Sequence, residues 1–290
     1  MRFLQCILLG IVQGITEFLP ISSSGHLTIL EHFMKMDGNI EFLNVFLHAG
    51  TLAAIIIGMQ KDVLKLCKAL KDMYRDSIYN LQLFMRSGNK AEEPHYRKIA
   101  GNNFRRLALI ILLGSFTTAV VGFLLNGLAS AASKSLIFTG IGLMISGILM
   151  LVVSRVQTKE KLPKEVSARN ALLTGVAQGF SVFPGVSRSG TVITCGILLG
   201  FSTRLAVRFS YLMSIPAVIG ALVLEIFKVS STGISIGFFF CCLAGAAAAM
   251  LAGLLVIRSM LRLVGKRGIG VFAVYCFAAG FAAIIMSIGM

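Results

Sequence analysis

The chain has no tryptophan, five prolines, four histidines and only 12 acidic residues against 27 basic ones. Charged residues of both signs fill 13% of its 290 positions, where a soluble domain carries roughly 25%. That shortage excludes an ordinary soluble enzyme. With 56% hydrophobic residues and a mean hydropathy of +0.86 the chain reads as a membrane protein. The net charge of +15 does not point to nucleic acid. Its Lys and Arg fall in short runs between apolar segments, as in cytoplasmic loops. The six cysteines lack metal-ligand spacing: Cys6, Cys195, Cys241, Cys242 and Cys276 lie in apolar stretches and Cys67 in a basic one. They read as small hydrophobes rather than as a metal or disulfide framework. Residues 3–12 have the length of a signal core, but no small-x-small cleavage site follows them.

What is present is a set of long apolar runs. Six are long enough to cross a bilayer, which needs ~20 apolar residues: approximately 41–58, 107–126, 135–154, 209–228, 235–256 and 269–288. Residues 3–18 and 170–183 are apolar but shorter. Each breaks at a Pro/Gly/Ser turn before a second short piece, 27–36 and 191–201. Two short pieces joined by a polar turn predict a re-entrant helical hairpin, because irregular backbone at membrane depth survives only against protein or a cavity.

Charge placement orients these segments. The stretches 59–106, 155–170, 201–208 and 257–268 carry eleven, five, two and four Lys/Arg, 22 of the 27, and are therefore expected in the cytoplasm. Traced through, the first hairpin enters from outside and the second from the cytoplasm, with three spans after each. The expected fold is an all-α polytopic membrane protein, a single membrane domain over 1–290. It has two inverted-topology repeats, six transmembrane helices and two re-entrant hairpins. Repeat one covers 1–154, with its hairpin at 3–36 and a cytoplasmic loop at 59–106. Repeat two covers 170–290, with its hairpin at 170–201. In transporters of this architecture the site lies where broken helices meet. Residues 76–104, too polar for a span and too short for a domain, read as cytoplasmic loop.

The hairpins contain a repeated sequence. Gly10-Ile-Val-Gln-Gly-Ile-Thr-Glu-Phe-Leu-Pro-Ile-Ser-Ser-Ser-Gly-His26 aligns without a gap, at an offset of 165, on Gly175-Val-Ala-Gln-Gly-Phe-Ser-Val-Phe-Pro-Gly-Val-Ser-Arg-Ser-Gly-Thr191. Seven of the 17 columns are identical: Gly10/Gly175, Gln13/Gln178, Gly14/Gly179, Phe18/Phe183, Ser22/Ser187, Ser24/Ser189 and Gly25/Gly190. Glycines four apart let helix backbones approach closely in a membrane. Gln13 and Gln178 suit helix-helix hydrogen bonding. The shared serines suit helix N-caps, and helix N-termini also bind phosphate.

The columns that differ carry the chemistry. Glu17 faces Val182, Ser23 faces Arg188, and His26 faces Thr191. An ionisable residue inside an apolar segment is costly and is a functional candidate by default. Glu17 lies four residues after Gln13, on the same helix face. Ser23 is a candidate nucleophile and His26 a candidate base or proton relay, since a hydroxyl needs a base to become nucleophilic. Arg188, the one basic residue of its hairpin, offers a fork for phosphate oxygens. A purely structural Arg188–Glu17 pair needs the same meeting of the two hairpins. His48, Asn44, Thr51 and Glu225 are further polar residues within spans. His48 suits a supporting role, and Glu225, three residues from Lys228, suits an interfacial pair.

On Gln13-Gly-Ile-Thr-Glu-Phe-Leu-Pro-Ile-Ser-Ser-Ser-Gly-His26 and Pro184-Gly-Val-Ser-Arg-Ser-Gly190 the chain resembles the undecaprenyl-diphosphate phosphatase family, the bacitracin-resistance proteins. The likeness extends over essentially the whole length and span pattern. It implies removal of the terminal phosphate of a C55 isoprenyl diphosphate, which recycles the lipid carrier for peptidoglycan synthesis and confers bacitracin resistance. It also implies a divalent cation (Mg or Ca), and a site open to the outer face of the bacterial plasma membrane. The partners implied are the polyprenyl diphosphate and membrane lipids, with no nucleic acid and with room for a homodimer. Carried over by position, Glu17 is the acidic and metal-holding residue, Ser23 the nucleophilic or phosphate-contacting serine, His26 the proton-transfer residue and Arg188 the diphosphate ligand. Gln13, Ser22, Ser24, Ser187 and Ser189 join Arg188 in substrate binding. Some members have Glu where this chain has Gln13, and residues 76–104 exceed the family's usual length there. The rival reading is a transporter or flippase for a phosphorylated polyprenyl lipid. The asymmetry of the two copies favours a hydrolase.

Overall fold

The computed structural model describes residues 2–34, 39–86, 95–156, 166–228, 234–263 and 268–288. Among them the chain is all helical. The elements are α1 (Arg2–Thr16), α2 (Ser23–Met34), α3 (Ile40–Gly58), α4 (Gln60–Arg86), α5 (Asn103–Ala132), α6 (Leu136–Arg155), α7 (Ala168–Gly179), α8 (Arg188–Leu198), α9 (Thr203–Lys228), α10 (Ile236–Leu263) and α11 (Ile269–Ile288), with a 3-10 turn at Phe180–Val182.

Six of these helices, α3, α5, α6, α9, α10 and α11, are long and apolar enough to cross a membrane. They match the six expected runs. α5 begins four residues before the expected 107, where Asn102 caps it by accepting from the Arg105 N–H at 2.8 Å, and it ends six after 126. α9 starts six residues before the expected 209. Large apolar side chains on these helices point outward: Phe123 is 82% exposed and Phe227 83%. Such a surface belongs in lipid. The protein is a multi-pass membrane protein.

The expected 59–106 loop is not loop throughout. Residues 60–86 form α4, which follows α3 after the single residue Met59. Polar composition suggested a loop, but α4 is amphipathic, and its buried strip of Leu66, Ala69 and Met73 belongs to the core that holds Ala108 and Ile111 of α5. Residues 87–94 lie outside the described residues.

The two short helices that carry the repeated sequence pack on long ones. α1 lies along α10 and α7 along α5. A Cβ on Gly14 would come within 2.9 Å of the Ala252 Cβ, and one on Gly175 within 2.8 Å of the Thr117 Cβ. The repeated glycines are therefore needed for backbone contact at both places.

Candidate active site

The turn after α1 is fixed from the other half of the chain. Tyr211 donates to the Phe18 carbonyl at 3.0 Å and Ser189 to the Leu19 carbonyl at 2.9 Å. Phe18, fully buried, meets the Tyr211 ring edge to face with centroids 5.6 Å apart. The turn after α7 is fixed by Ser146 of α6, which donates to the Gly185 carbonyl at 3.0 Å and accepts from the Ser187 N–H at 2.8 Å. The two turns are thereby held together in the interior.

Their meeting point is Glu17, 7% exposed. Arg188 Nη2 donates to Glu17 Oε1 at 2.8 Å, and Gln13 Nε2 donates to Oε2 at 3.1 Å. The Ser23 hydroxyl donates to that same Oε2. Arg188 Nη1 also donates to the Ser214 carbonyl at 3.2 Å. One carboxylate thus gathers the acidic residue, the serine and the arginine, all from columns in which the two copies differ. Because a carboxylate only accepts, Gln13 must turn its NH₂ toward Glu17. Its Oε1 is then left buried without a hydrogen-bond partner.

The shared serines behave as caps. Ser22 Oγ accepts from the Gly25 N–H at 3.3 Å and Ser187 Oγ from the Gly190 N–H at 3.0 Å. Ser24 and Ser189 pair with them at 3.2 and 3.3 Å. Ser22, Ser23, Ser24, Glu17 and Arg188 line one cavity of ≈ 190 Å³. Ser22 has φ +68°, the left-handed region that a non-glycine residue rarely adopts.

His26 is not brought to Ser23. Its Nδ1 lies 2.7 Å from the Ser22 carbonyl and its Nε2 2.7 Å from the Tyr275 hydroxyl, with the two rings stacked at 5.5 Å. A ring nitrogen against a carbonyl must carry hydrogen, so Nδ1 donates, and in the neutral ring Nε2 accepts from Tyr275. Tyr275 left no sequence signal, being an aromatic in an apolar run of α11.

His48 lines the cavity with Glu17 and Arg188. The sequence offered it for a supporting role, on the signal of a polar residue one turn after Asn44 inside a span. Its Nδ1 donates to the Asn44 carbonyl at 3.0 Å and lies 3.4 Å from Glu225 Oε2. Glu225 therefore faces α3, and the expected pairing with Lys228 falls on a side chain outside the described residues. Thr51 is fully buried and donates to the His48 carbonyl at 3.0 Å.

A family model for the bacitracin resistance protein BacA matches residues 6–282. The chain belongs to that family. It is 32% identical over 289 residues to the undecaprenyl-diphosphatase of Alkaliphilus metalliredigens, covering 99% of this chain and 100% of that protein. It is 33% identical over 285 residues to the undecaprenyl-diphosphatase of Methanosphaera stadtmanae, covering 98% of each. With that of Syntrophotalea carbinolica it shares 34% over 281 residues, 97% of each. The matched residues span both turns, five of the six long helices and α11 as far as residue 282, so the Glu17 cluster lies within the matched region.

Proposed function

We propose that this chain is an integral membrane phosphatase that hydrolyses undecaprenyl diphosphate to undecaprenyl phosphate and inorganic phosphate, returning the lipid carrier to peptidoglycan synthesis and conferring bacitracin resistance. The observation that carries the reading is the convergence of the Ser23 hydroxyl and the Arg188 guanidinium on the two oxygens of one buried carboxylate, Glu17. A hydroxyl beside a base, with a guanidinium fork next to it, is a set suited to phosphoryl transfer. Relatives named undecaprenyl-diphosphatase match over nearly the whole chain.

In the reaction we assign, Arg188 holds oxygens of the terminal phosphate while Ser23 Oγ attacks its phosphorus. The bond to the bridging oxygen breaks, undecaprenyl phosphate leaves, and the Ser23 proton passes to Glu17. Glu17 hands that proton on to the departing phosphate and is ionised again. Water then attacks the phosphoserine and gives a proton to Glu17, which passes it to Ser23 Oγ as the Oγ–P bond breaks and inorganic phosphate leaves. His26, tied to Ser22 and Tyr275, takes the role of holding the turn rather than activating Ser23. Ser22, Ser24, Ser187 and Ser189 set the ends of α2 and α8, whose N–H groups favour anions.

The donor set suits a hard divalent cation: Glu17 is a carboxylate, and beside it the buried Gln13 Oε1 lacks a hydrogen-bond partner. Mg²⁺ is commonly held by one or two carboxylates together with substrate phosphates. Bound there, Mg or Ca would neutralise phosphate charge. The ≈ 190 Å³ cavity suits the diphosphate. A second cavity of ≈ 910 Å³, lined by Phe138, Ile141, Phe180, Phe183 and Leu198, shares Val186 with it, and its apolar walls suit the prenyl tail. We read α1–α2 and α7–α8 as re-entrant hairpins of two inverted repeats, 1–154 and 170–290, with the site open to the outer face.

Purified protein given C55 diphosphate with Mg²⁺ or Ca²⁺ should release phosphate. Glu17→Ala and Arg188→Ala should each lower the rate by about 10²–10³, the usual loss on removing one preorganised charge-stabilising group. Absence of release from the wild type with either ion sinks the reading and leaves lipid transport as its successor. Labelled phosphoenzyme trapped at Ser23 would distinguish the covalent route from direct attack by water.

A further inference from the structure

Helix α4 is not used by the site, and among the described residues no helix stands between α9 and α10 in the second half of the chain. Its surface divides into three strips. Leu66, Ala69, Met73 and Asp76 are buried against α5. Beside them Leu70, Tyr74, Ile78, Leu81 and Met85 recur at spacings of three and four, yet are 37% to 68% exposed. Next round the helix come Lys61, Lys68, Lys71, Arg75 and Arg86, all exposed. An apolar strip flanked by a basic one is the pattern of a helix lying in a membrane interface.

Contacts at the ends of the spans show how α4 lies. Arg208, in the second turn of α9, pairs with Asp62, with Nε at 2.8 Å from Oδ2. Lys65 Nζ stands 5.1 Å from the Phe104 ring centroid. Arg105 Nη1 donates to Asp76 Oδ2 at 2.7 Å. Phe104 and Arg105 are neighbours in the first turn of α5, but Lys65 and Asp76 are separated by roughly 16 Å of helix rise. A helix running alongside α5 would meet partners equally far apart on both, so α4 crosses the end of α5. Joined to α3 through Met59 alone, it meets the ends of three spans, α3, α5 and α9.

We propose that α4 is an interfacial helix that docks on anionic phospholipid headgroups at the basic face of the membrane. The Leu70–Met85 strip enters the boundary between headgroups and acyl chains, and Lys61, Lys68, Lys71, Arg75 and Arg86 meet lipid phosphates. Charge complementarity selects this occupant: the strip bordering the exposed apolar residues is cationic, and anionic lipid attracts such residues at a membrane surface. The inference needs the membrane reading of the spans but not the phosphatase reading, and activity is not its readout.

The test uses the full chain in vesicles of phosphatidylcholine, with or without phosphatidylglycerol, and spin labels on Tyr74→Cys, Ile78→Cys, Lys68→Cys and Arg75→Cys, each in a Cys67→Ser background. Labels at 74 and 78 should collide more with oxygen than with a water-soluble nickel chelate, and labels at 68 and 75 the reverse. Phosphatidylglycerol should lower nickel access at 74 several-fold. A Lys68→Glu, Lys71→Glu, Arg75→Glu variant that keeps the wild-type melting midpoint in neutral detergent should lose that response. Greater nickel than oxygen access at 74 and 78 overturns the proposal. So does exclusion of both reagents in a way that tracks protein density, which would mark a protein partner or a second copy on this face. Equal behaviour in the two lipids overturns the anionic preference.

Discussion

Ser22 and Ser187 occupy the same column of the repeat and cap their helices alike, each accepting from the glycine N–H three residues on, at 3.3 and 3.0 Å. Their backbones differ. Ser187 has φ −73°, whereas Ser22 has φ +68°. The second turn makes its reversal two residues earlier, at Gly185 with φ +83°. The matching column of the first turn holds Pro20, whose ring fixes φ near −65° and forbids a reversal there. The first turn therefore places it at Ser22, which costs roughly 1–2 kcal/mol for a residue with a side chain. That strained residue directly precedes Ser23, the hydroxyl on Glu17. Shared residues thus secure both turns equally, and local strain and chemistry gather in the first one.

The largest test of this division is to move the carboxylate across the repeat. Glu17→Val combined with Val182→Glu preserves composition and repeat. It should nevertheless leave phosphate release about 10²–10³ below wild type, as low as Glu17→Ala. Gln13 and Ser23, which both donate to Glu17, stay in the first half. Arg188→Lys sharpens the point from the other side. It keeps the charge but loses the fork that reaches Glu17 Oε1 and the Ser214 carbonyl together. Recovery of more than about tenfold activity in the exchange variant would break the division, since one such interaction is worth far more than that.

The same two regions show what a sequence can disclose. Six long apolar runs and two interrupted short ones were legible because bilayer thickness and backbone hydrogen bonding leave few alternatives. The cluster of Glu17, Ser23 and Arg188 was legible because charge at membrane depth is expensive and each residue broke the repeat. Tyr275 was hidden because it contacts His26 from 249 positions away and matches the apolar composition of its run. His48 was visible only as a polar residue in a span. Its contact with Glu225 depends on how α3 packs against α9, which periodicity does not encode. Helix α4 was hidden for a related reason: a helix with both apolar and basic strips has no long apolar run, and its mean composition is that of a polar loop.

Glycine substitutions provide a smaller test of the backbone difference. Ser22→Gly removes the left-handed penalty and loses a cap worth only a few tenths of a kcal/mol relative to glycine. It should therefore leave stability unchanged or raise it by about 1 kcal/mol after the added chain entropy. Ser187→Gly has no strain to relieve and should destabilise by about 1 kcal/mol. Thermal unfolding of the two variants in one detergent reads the difference. A loss of equal size in both would show that the φ of Ser22 carries no strain.

The smallest effect concerns the half that carries α4. Asp76 Oδ2 accepts from Arg105 at 2.7 Å and Oδ1 from Arg97 at 3.2 Å. Hydrogen bonds from these two guanidiniums hold its carboxyl below the usual carboxylate range. A group whose pKa is lowered on folding contributes stability above its unfolded value, ~3.9, and loses it as pH falls through the folded value. Asp76→Asn should therefore melt below wild type at neutral pH, by a modest margin because Arg97 is 54% exposed. The gap should close as the pH drops below about 4. A gap that stays constant from neutral to acid pH would mean that α4 is tied to α5 by the Leu66–Met73 strip, with the Asp76 charge contributing nothing.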